Sequence, residues 1–349
     1  MEEDEGKKFI KAWIIILASL CYSYFIASKI PKGILRFISL LPIFSLFTLL
    51  PLSLSRPLTN ILFGGFIVWL ANFKLLLYAF NHGPLSYDVN DDQPSLLRFI
   101  FLAAFPIKIK KVNPSTKGQE GNLVISPNKK EVVLPLNFWS KVVIFVILEV
   151  VYSYNKNMVA FCGLMYLAID IAFGVCDFLV GFTLGIELEP PSNEPYLSTS
   201  LQDFWGRRWN LRVTEILHHT VYKPVRSTVV KFVGQKWAQV TGVMASFVVS
   251  GLMHELVYYY TTRAIPTWEV TWFFVLHGVC VVLEIGVKRT LGLKWKLHWA
   301  VSGPLTVGFV MVTGFWLFFP QLMRNEVDVK ATQDIIDFGK YLKEMVMRR

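Results

Sequence analysis

Long apolar runs alternate with polar stretches along this chain, and the runs have the length of membrane-spanning helices. About 20 mostly apolar residues cross the hydrocarbon core of a bilayer as an α-helix. Eight segments meet this criterion. They lie near Ile10–Ser28, Ile34–Leu54, Leu58–Phe80, Trp139–Tyr154, Met158–Leu184, Val240–Tyr260, Trp272–Val287 and Leu297–Phe319. The pattern predicts an all-α, polytopic membrane protein.

The segments outside these runs have different characters. Residues 1–9 predict a short acidic tail; no A-x-A-like cleavage site follows the first apolar run, so we expect that run to stay as a mature helix. Leu96–Ile107 is apolar but too short to span, which indicates an interfacial or re-entrant helix. Residues 320–349 mix both charge signs and predict a surface-lying tail. We therefore expect one membrane domain, 10–319, with a long polar loop at 185–239.

Composition agrees with a membrane protein. Of the 349 residues, 54% are hydrophobic and 17% are charged, whereas soluble domains carry about 25% charged residues. Cys21, Cys162, Cys176 and Cys280 lie in or near apolar runs without a CxxC pair, so neither a disulfide framework nor a metal site is predicted. The net charge is +10, but no basic arm or nucleic-acid motif is present, and we expect no nucleic-acid partner.

The distribution of Lys and Arg predicts an orientation. With strict alternation of eight spans, the loops 29–33, 81–138, 185–239 and 288–296 share one side. Together with Arg36, that side holds 21 basic residues, whereas the opposite inter-span loops hold Arg56, Lys156 and Arg263. Because basic residues favour the cytosolic side, we expect the 21-residue side to be cytosolic and both termini to be lumenal.

One histidine stands deep in the sixth span. His254 lies in the stretch SGLMHELVYYY, where Ser250 and Gly251 are small enough to let a helix or ligand approach. Glu255 follows it, but adjacent helix residues point in different directions. A buried histidine is often only a packed core residue. A neutral imidazole in a dry site can also take a proton from a hydroxyl group that attacks an acyl carbon.

Further ionisable residues recur at helical spacing inside the spans. His277 and Glu284 are two turns apart in the seventh span, as are Asp170 and Asp177 in the fifth. They could line a functional seam; for the aspartates we favour polar contacts between helices. We expect Lys74 to extend its ammonium to the cytosolic surface.

The stretch SLQDFWGRRWN, residues 200–210, is polar and aromatic in an apolar chain; we call it the motif segment. Its candidates for substrate binding are Asp203, Phe204, Trp205, Arg207, Arg208, Trp209 and Arg212 just beyond it. Arginines suit bidentate contacts to phosphates, with Lys223 and Arg226 nearby, although juxtamembrane bases also face lipid headgroups. Motifs for a nucleophile elbow, for nucleotide binding and for zinc hydrolysis are absent, as are HHxxxDG and HxxxxD.

The motif segment and the stretch around His254 resemble the plant wax synthase family of the membrane-bound O-acyltransferase superfamily. FWGRRWN is similar to the F-Y-x-D-W-W-N element of the diacylglycerol acyltransferase branch, differing at Arg207 and Arg208. WLANFKLLLYAF, NEPYLSTSLQDFWGRRWNLRV, VSGLMHE, WFFVLHGVC and LTVGFVMVTG resemble the wax synthase blocks in the family's order, over nearly the whole chain.

The resemblance implies an acyl-CoA-dependent esterification of long-chain alcohols in the endoplasmic reticulum membrane, around an internal reaction tunnel. His254 would be the catalytic histidine and Asn210 the second active-site residue. From their positions inside the spans, we add His277, Glu284 and Glu255 as candidate supporting residues. Acyl-CoA and a lipid alcohol would be substrates, and no cofactor is expected. Related members acetylate diacylglycerol or acylate sterols, so acyl length and acceptor stay open, as does the oligomeric state. A transporter using the intramembrane acids is the alternative from another class.

Overall fold

The part of the chain that the structure describes is mainly helical. The computed structural model covers residues 2–86, 94–110, 136–290 and 298–347. In these ranges the one strand-like pairing is an isolated bridge between Ile109 and Leu188. Eight described helical segments are long and apolar enough to span a membrane. The predicted all-α fold with about eight spans is confirmed.

We number the helices in chain order. They are α1 (Glu2–Phe25), α2 (Ile34–Leu49), α3 (Pro57–Ala79), α4 (Leu96–Ala104), α5 (Phe138–Asn155), α6 (Met158–Leu184), α7 (Leu211–Thr262), α8 (Glu269–Thr290), α9 (Trp299–Phe318), α10 (Pro320–Arg324) and α11 (Val327–Met347). Contacts divide the chain into two compact units, one of residues 1–106 with 195–349 and one of residues 107–194.

The smaller unit is a pair of antiparallel helices, α5 and α6. The side chains of Asn137 and Asn157 accept hydrogen bonds from first-turn N–H groups and begin the two helices. Between the helices, the Lys141 ammonium lies 2.8 Å from a carboxylate oxygen of Asp170. Asp170 also accepts a hydrogen bond from Ser192. The expected inter-helix polar contact is therefore present at Asp170.

In the larger unit, Lys74 contradicts its sequence prediction. Its side chain is 3% exposed, and Nζ donates to the carbonyls of Leu102 (2.7 Å) and Phe105 (2.6 Å) at the end of α4. The last carbonyls of a helix have no partner within the helix and carry partial negative charge. Lys74 satisfies them, so its ammonium turns inward instead of extending to the surface.

Two arginines also donate to backbone carbonyls, which lie just beyond α1 and α2. The guanidinium of Arg36 is buried and donates to the carbonyls of Ser28 (3.0 Å) and Ile30 (2.8 Å), just beyond α1. Arg263 donates to the carbonyl of Pro51 (2.7 Å), beyond α2. Cationic side chains of this unit thus bind backbone carbonyls at helix ends or just beyond them.

Both ends of the chain are helical. α1 begins at Glu2, so most of the acidic tail predicted for residues 1–9 is the first part of a helix. In the C-terminal tail predicted for 320–349, α11 packs beside the start of α3. There the Asp334 carboxylate accepts the Leu58 N–H (3.2 Å) and lies 3.8 Å from Arg56. Partial burial raises the pKa of Asp334 above its ordinary value.

The predicted polar loop at 185–239 is wrong beyond residue 210. Helix α7 begins at Leu211, and the sixth predicted span, Val240–Tyr260, is the last part of it. The bases at Lys223 and Arg226 hid the helical pattern, because a hydropathy reading treats such residues as loop. The first part of α7, residues 211–233, is stabilised by packing against other segments of the larger unit.

Candidate active site

Helix α7 is folded back on itself at Gly234. This residue has φ 75° and ψ 171°, a conformation open essentially to glycine alone. It separates a first arm, residues 211–233, from a second arm, residues 235–262. In a straight helix Tyr222 and Gly242 would stand about 30 Å apart. A Cβ at Gly242 would instead lie 2.9 Å from the Tyr222 ring, so the two arms form a tight hairpin.

The two arms pack along an apolar seam. Leu217 and Val221 of the first arm form a cluster with Trp69 of α3. Ala245, Val249 and Met253 of the second arm pack against this cluster at four-residue intervals. Because the arms run antiparallel from the turn, residues at similar distances from Gly234 lie at a similar level. Asn210 stands 24 residues before the turn and His254 stands 20 after it.

The imidazole of His254 has a fixed tautomer. Nδ1 lies 2.8 Å from the carbonyl oxygen of Ser250, one turn earlier in the same helix. A carbonyl can only accept, so Nδ1 carries the hydrogen and Nε2 keeps its lone pair. Trp69, Phe274 and Phe318 surround the ring, with centroid distances of 5.1, 4.4 and 5.6 Å. The result is a neutral proton acceptor in an aromatic enclosure.

The motif segment forms its own compact turn. Phe204–Arg208 is a single π-helical turn, a geometry frequent at functional sites. Phe204 stacks on Trp209 with centroids 5.5 Å apart. Arg208 Nε donates to the Asp203 carboxylate at 2.7 Å. Asp203 and Arg208 therefore shape the segment from within, whereas both had been predicted to bind substrate.

Trp205 carries the motif segment to the side of His254. Its ring lies 5.6 Å from Phe274, the same ring that packs on His254. Its Nε1–H donates to Nδ1 of His277 at 3.0 Å. One aromatic ring thus separates the motif segment from the histidine. The motif segment therefore lies beside the aromatic enclosure of His254.

Asn210 connects the motif segment to α7. Its backbone is left-handed, with φ 36°, a region that asparagine tolerates better than most residues. Its Oδ1 accepts the N–H of Val213 at 3.2 Å and begins the helix. Because Oδ1 faces the helix, the Nδ2–H donors of the same amide are directed away from Val213.

The three predicted supporting residues have different surroundings. His277 is fully buried and bonds to Trp205 and Thr313. Glu284, two turns along the same face, accepts the N–H of Gln202 at 3.1 Å. Both residues lie on one face of α8, as their spacing predicts, and this face contacts the motif segment. Glu255 instead faces Thr271 at the beginning of α8, 3.3 Å from its hydroxyl.

The three predicted phosphate-binding arginines do not share one surface. Arg207 is exposed, Arg208 is paired with Asp203, and Arg212 is 4% exposed. Their proximity in sequence suggested a common face, but the π-turn and the left-handed Asn210 between them change the direction of the chain.

Basic side chains gather elsewhere, along the first arm of the hairpin. A cleft of about 700 Å³ opens there. Its lining residues are His82, His219, Lys223, Pro224, Arg226, Ser227, Val230 and Gln235. Lys223 Nζ lies 3.4 Å from Nδ1 of His219. The sequence pointed to Lys223 and Arg226, but nothing in it linked them to His82.

Comparisons with known proteins identify the family of the chain. The profile of the membrane bound O-acyl transferase family matches residues 188–276, which include the motif segment, the hairpin and His254. A long-chain-alcohol O-fatty-acyltransferase of Simmondsia chinensis is 44% identical over 99% of this chain and 98% of its own length. Probable long-chain-alcohol O-fatty-acyltransferase 3 of Arabidopsis thaliana is 42% identical over 97% of each chain. Acyl-CoA–sterol O-acyltransferase 1 of Arabidopsis thaliana is 39% identical over 97% of this chain and 96% of its own.

The fold and the site define the class as a polytopic, membrane-bound acyltransferase. Identity at this level over nearly the full length places the protein more narrowly. The chain belongs to the long-chain-alcohol O-fatty-acyltransferase, or wax synthase, family of the membrane-bound O-acyltransferases.

Proposed function

We propose that this enzyme transfers a fatty acyl group from CoA to the hydroxyl of a long-chain alcohol, forming a wax ester. The observation that carries the proposal is the fixed tautomer of His254, whose free Nε2 lies among aromatic rings beside the motif segment. The names of the similar proteins support the alcohol as acceptor. A sterol is the second candidate, because a sterol acyltransferase is 39% identical to the chain.

The reaction follows from the two nitrogens of His254. Nδ1–H is held by the Ser250 carbonyl, so Nε2 faces the acceptor and takes the proton of its hydroxyl. The alcohol oxygen attacks the thioester carbonyl carbon, and a C–O bond forms. The C–S bond then breaks, and the sulfur leaves with the proton that Nε2 holds. The products are the ester and free CoA, and His254 returns to its neutral form.

In this proposal, an amide N–H of Asn210 stabilises the negative charge that develops on the thioester oxygen. While the alcohol attacks, the thioester oxygen gains negative charge, which a fixed N–H donor stabilises. The Asn210 amide is anchored through Oδ1 by the Val213 N–H, which leaves Nδ2–H as the donor. The hairpin places this residue and His254 at a similar level, so one thioester could contact both.

We place the Gly234 end of the hairpin on the cytosolic side of the endoplasmic reticulum membrane. Lys231 and Lys236 flank the turn, and Lys288 and Arg289 end α8, so this end follows the positive-inside rule. The Lys288 ammonium reaches Ser200 at 3.3 Å, which places the start of the motif segment at the same end. The segment would enter from the cytosol, turn at Asn210 and return through the first arm.

The substrate assignment is tested with a panel of acceptors. Microsomes from yeast lacking neutral-lipid acyltransferases would express the chain and receive acyl-CoA with hexadecanol, a sterol or diacylglycerol. We expect wax ester to exceed sterol ester and triacylglycerol, measured by lipid mass spectrometry. A dominant sterol ester would move the assignment to the second candidate, and the absence of every ester would contradict the proposed function.

The basic cleft is our proposed site for the phosphates of CoA. Lys223 and Arg226 lie three residues apart in the first arm of the hairpin, and His82 and His219 complete the lining. We expect Lys223→Ala with Arg226→Ala to raise the KM for acyl-CoA by roughly 10-fold or more, since each charge-assisted bond contributes about 1.5–3 kcal/mol. The KM for the alcohol should change much less.

A matched pair of cations separates this role from attraction to lipid headgroups. Lys231 and Lys236 are exposed on the same hairpin but do not line the cleft. Lys231→Ala with Lys236→Ala removes the same charge, and we expect the KM for acyl-CoA to stay within about twofold. Equal effects of the two pairs, or equal effects on acyl-CoA and alcohol, would favour the headgroup role.

A further inference from the structure

A chain of hydrogen bonds connects three segments of the larger unit through His277. The imidazole is fully buried. Its Nδ1 lies 3.0 Å from Trp205 Nε1, and its Nε2 lies 2.9 Å from Thr313 Oγ1. The Thr313 hydroxyl lies 2.7 Å from the carbonyl of Phe309. The motif segment, α8 and α9 thus meet at one side chain.

The direction of every bond in this chain is determined. The indole of Trp205 can only donate, so Nδ1 of His277 accepts. The proton of the neutral ring is then on Nε2, which donates to Thr313 Oγ1. The Thr313 hydroxyl donates in turn to the Phe309 carbonyl, which can only accept. A proton on Nδ1 would face the Trp205 N–H, so the arrangement fits only the neutral ring.

The same chain fixes the rings on two sides of His254. Phe274 lies one turn before His277 in α8 and packs on His254 at 4.4 Å. Phe318 follows Thr313 within the π-helical turn Gly314–Phe318 of α9 and lies 5.6 Å from His254. His277 therefore links the two helices that carry these rings to each other and to the motif segment.

We propose that His277 is a positioning residue for acyl transfer: by accepting from Trp205 and donating to Thr313, it holds the motif segment and the aromatic enclosure of His254 in register. It touches neither substrate nor the transferred proton. Its loss should lower kcat, because the donor and acceptor around His254 lose their alignment. The KM for acyl-CoA should change little, because the basic cleft is formed by other residues.

Two substitutions of His277 separate its hydrogen bond with Trp205 from its hydrogen bond with Thr313. In His277→Asn the amide oxygen stands near the Nδ1 position and can accept from Trp205. His277→Ala removes both bonds. We expect kcat to fall about 30- to 100-fold in the alanine variant, since two buried polar groups lose their partner, and about tenfold of this to return in the asparagine variant. His298→Asn, at the exposed start of α9, is the matched control and should retain wild-type kcat.

A double-mutant cycle tests whether His277 acts through Trp205. Trp205→Phe keeps a ring but removes the N–H, and we expect it to lower kcat about tenfold in the wild-type background. In the His277→Ala background it should lower kcat no further. Thr313→Val, which preserves volume, should also lower kcat with the KM for acyl-CoA within about twofold.

This inference depends on the proposed function, but different results would contradict the inference and the proposed function. No ester from the wild type with any acceptor contradicts the proposed function. An active wild type with an equally active His277→Ala variant contradicts the positioning role, as does an asparagine variant no better than alanine. Activities are compared per amount of monodisperse protein extracted from membranes. Where His277→Ala does not fold, Trp205→Phe and Thr313→Val carry the test, and wild-type kcat in both contradicts the role.

Discussion

His254→Gln is expected to lower ester formation about 10²- to 10⁴-fold, the range attributed to a positioned general base. Glutamine can place an amide near the Nε2 position but cannot take a proton at neutral pH. The packing against Trp69, Phe274 and Phe318 is largely retained, so the loss should be chemical. The measurement is kcat for ester formation with purified protein in lipid nanodiscs.

The control for this substitution is His298→Asn, at the exposed start of α9, where asparagine can still accept the N–H of Ala300. It should match the wild type in both yield and kcat. Retention of more than about a tenth of wild-type activity by His254→Gln at equal yield would exclude His254 as the base, since a general base contributes at least about 10²-fold.

Asn210→Asp is expected to lower kcat about 10²- to 10³-fold, the cost of removing one oxyanion donor. Aspartate can still accept the Val213 N–H, and it tolerates the left-handed backbone nearly as well. The substitution therefore keeps the start of α7 and removes the N–H donors. A negative charge next to a developing oxyanion adds to the loss. The KM for acyl-CoA should stay within about threefold.

Two further variants separate capping from chemistry at this position. Asn210→Gly keeps the backbone conformation but loses both the cap and the donors, so kcat should fall as in the aspartate variant with slightly less folded protein. Asn157→Asp changes the cap of α6 in the smaller unit and should leave kcat unchanged. A kcat near the wild-type value in Asn210→Asp would contradict a role of Asn210 in stabilising the oxyanion and would leave its role as the cap of α7.

Sequence patterns predicted the spans because the bilayer makes length and apolarity the main requirement. Seven of the eight predicted segments have a described helix of their own, and all but the first agree in their bounds to within about three residues. The relation between His277 and Glu284 was also predictable, because two helical turns place both on the face that meets the motif segment.

The hairpin of α7 was not predictable from hydropathy. Its first arm carries Lys223 and Arg226, which resemble loop residues, and its turn depends on the conformational freedom of a single glycine, Gly234. Without the hairpin, Asn210 and His254 appear far apart. With it, they stand 24 and 20 residues from the same turn, on antiparallel arms, and so lie at a similar level. A Gly between two helical patterns was the one available signal.

The placement of charges depended on tertiary contacts that the sequence does not contain. Lys74 was expected at the surface. Its buried ammonium instead donates to carbonyls at the end of α4, because these carbonyls have no partner within the helix. Arg208 was expected to bind substrate but pairs with Asp203. The partner was only five residues away, yet the π-turn that brings the pair together has no simple sequence signature.

The most direct test of the central claim is a joint measurement of both products. Purified wild type and His254→Gln would receive acyl-CoA and hexadecanol, with ester measured by mass spectrometry and free CoA by a thiol reagent in the same samples. We expect one CoA per ester from the wild type, without an initial burst of CoA, and almost none of either from His254→Gln. Ester from His254→Gln at the wild-type rate, or a wild-type burst of CoA without ester, would contradict direct transfer with His254 as the base.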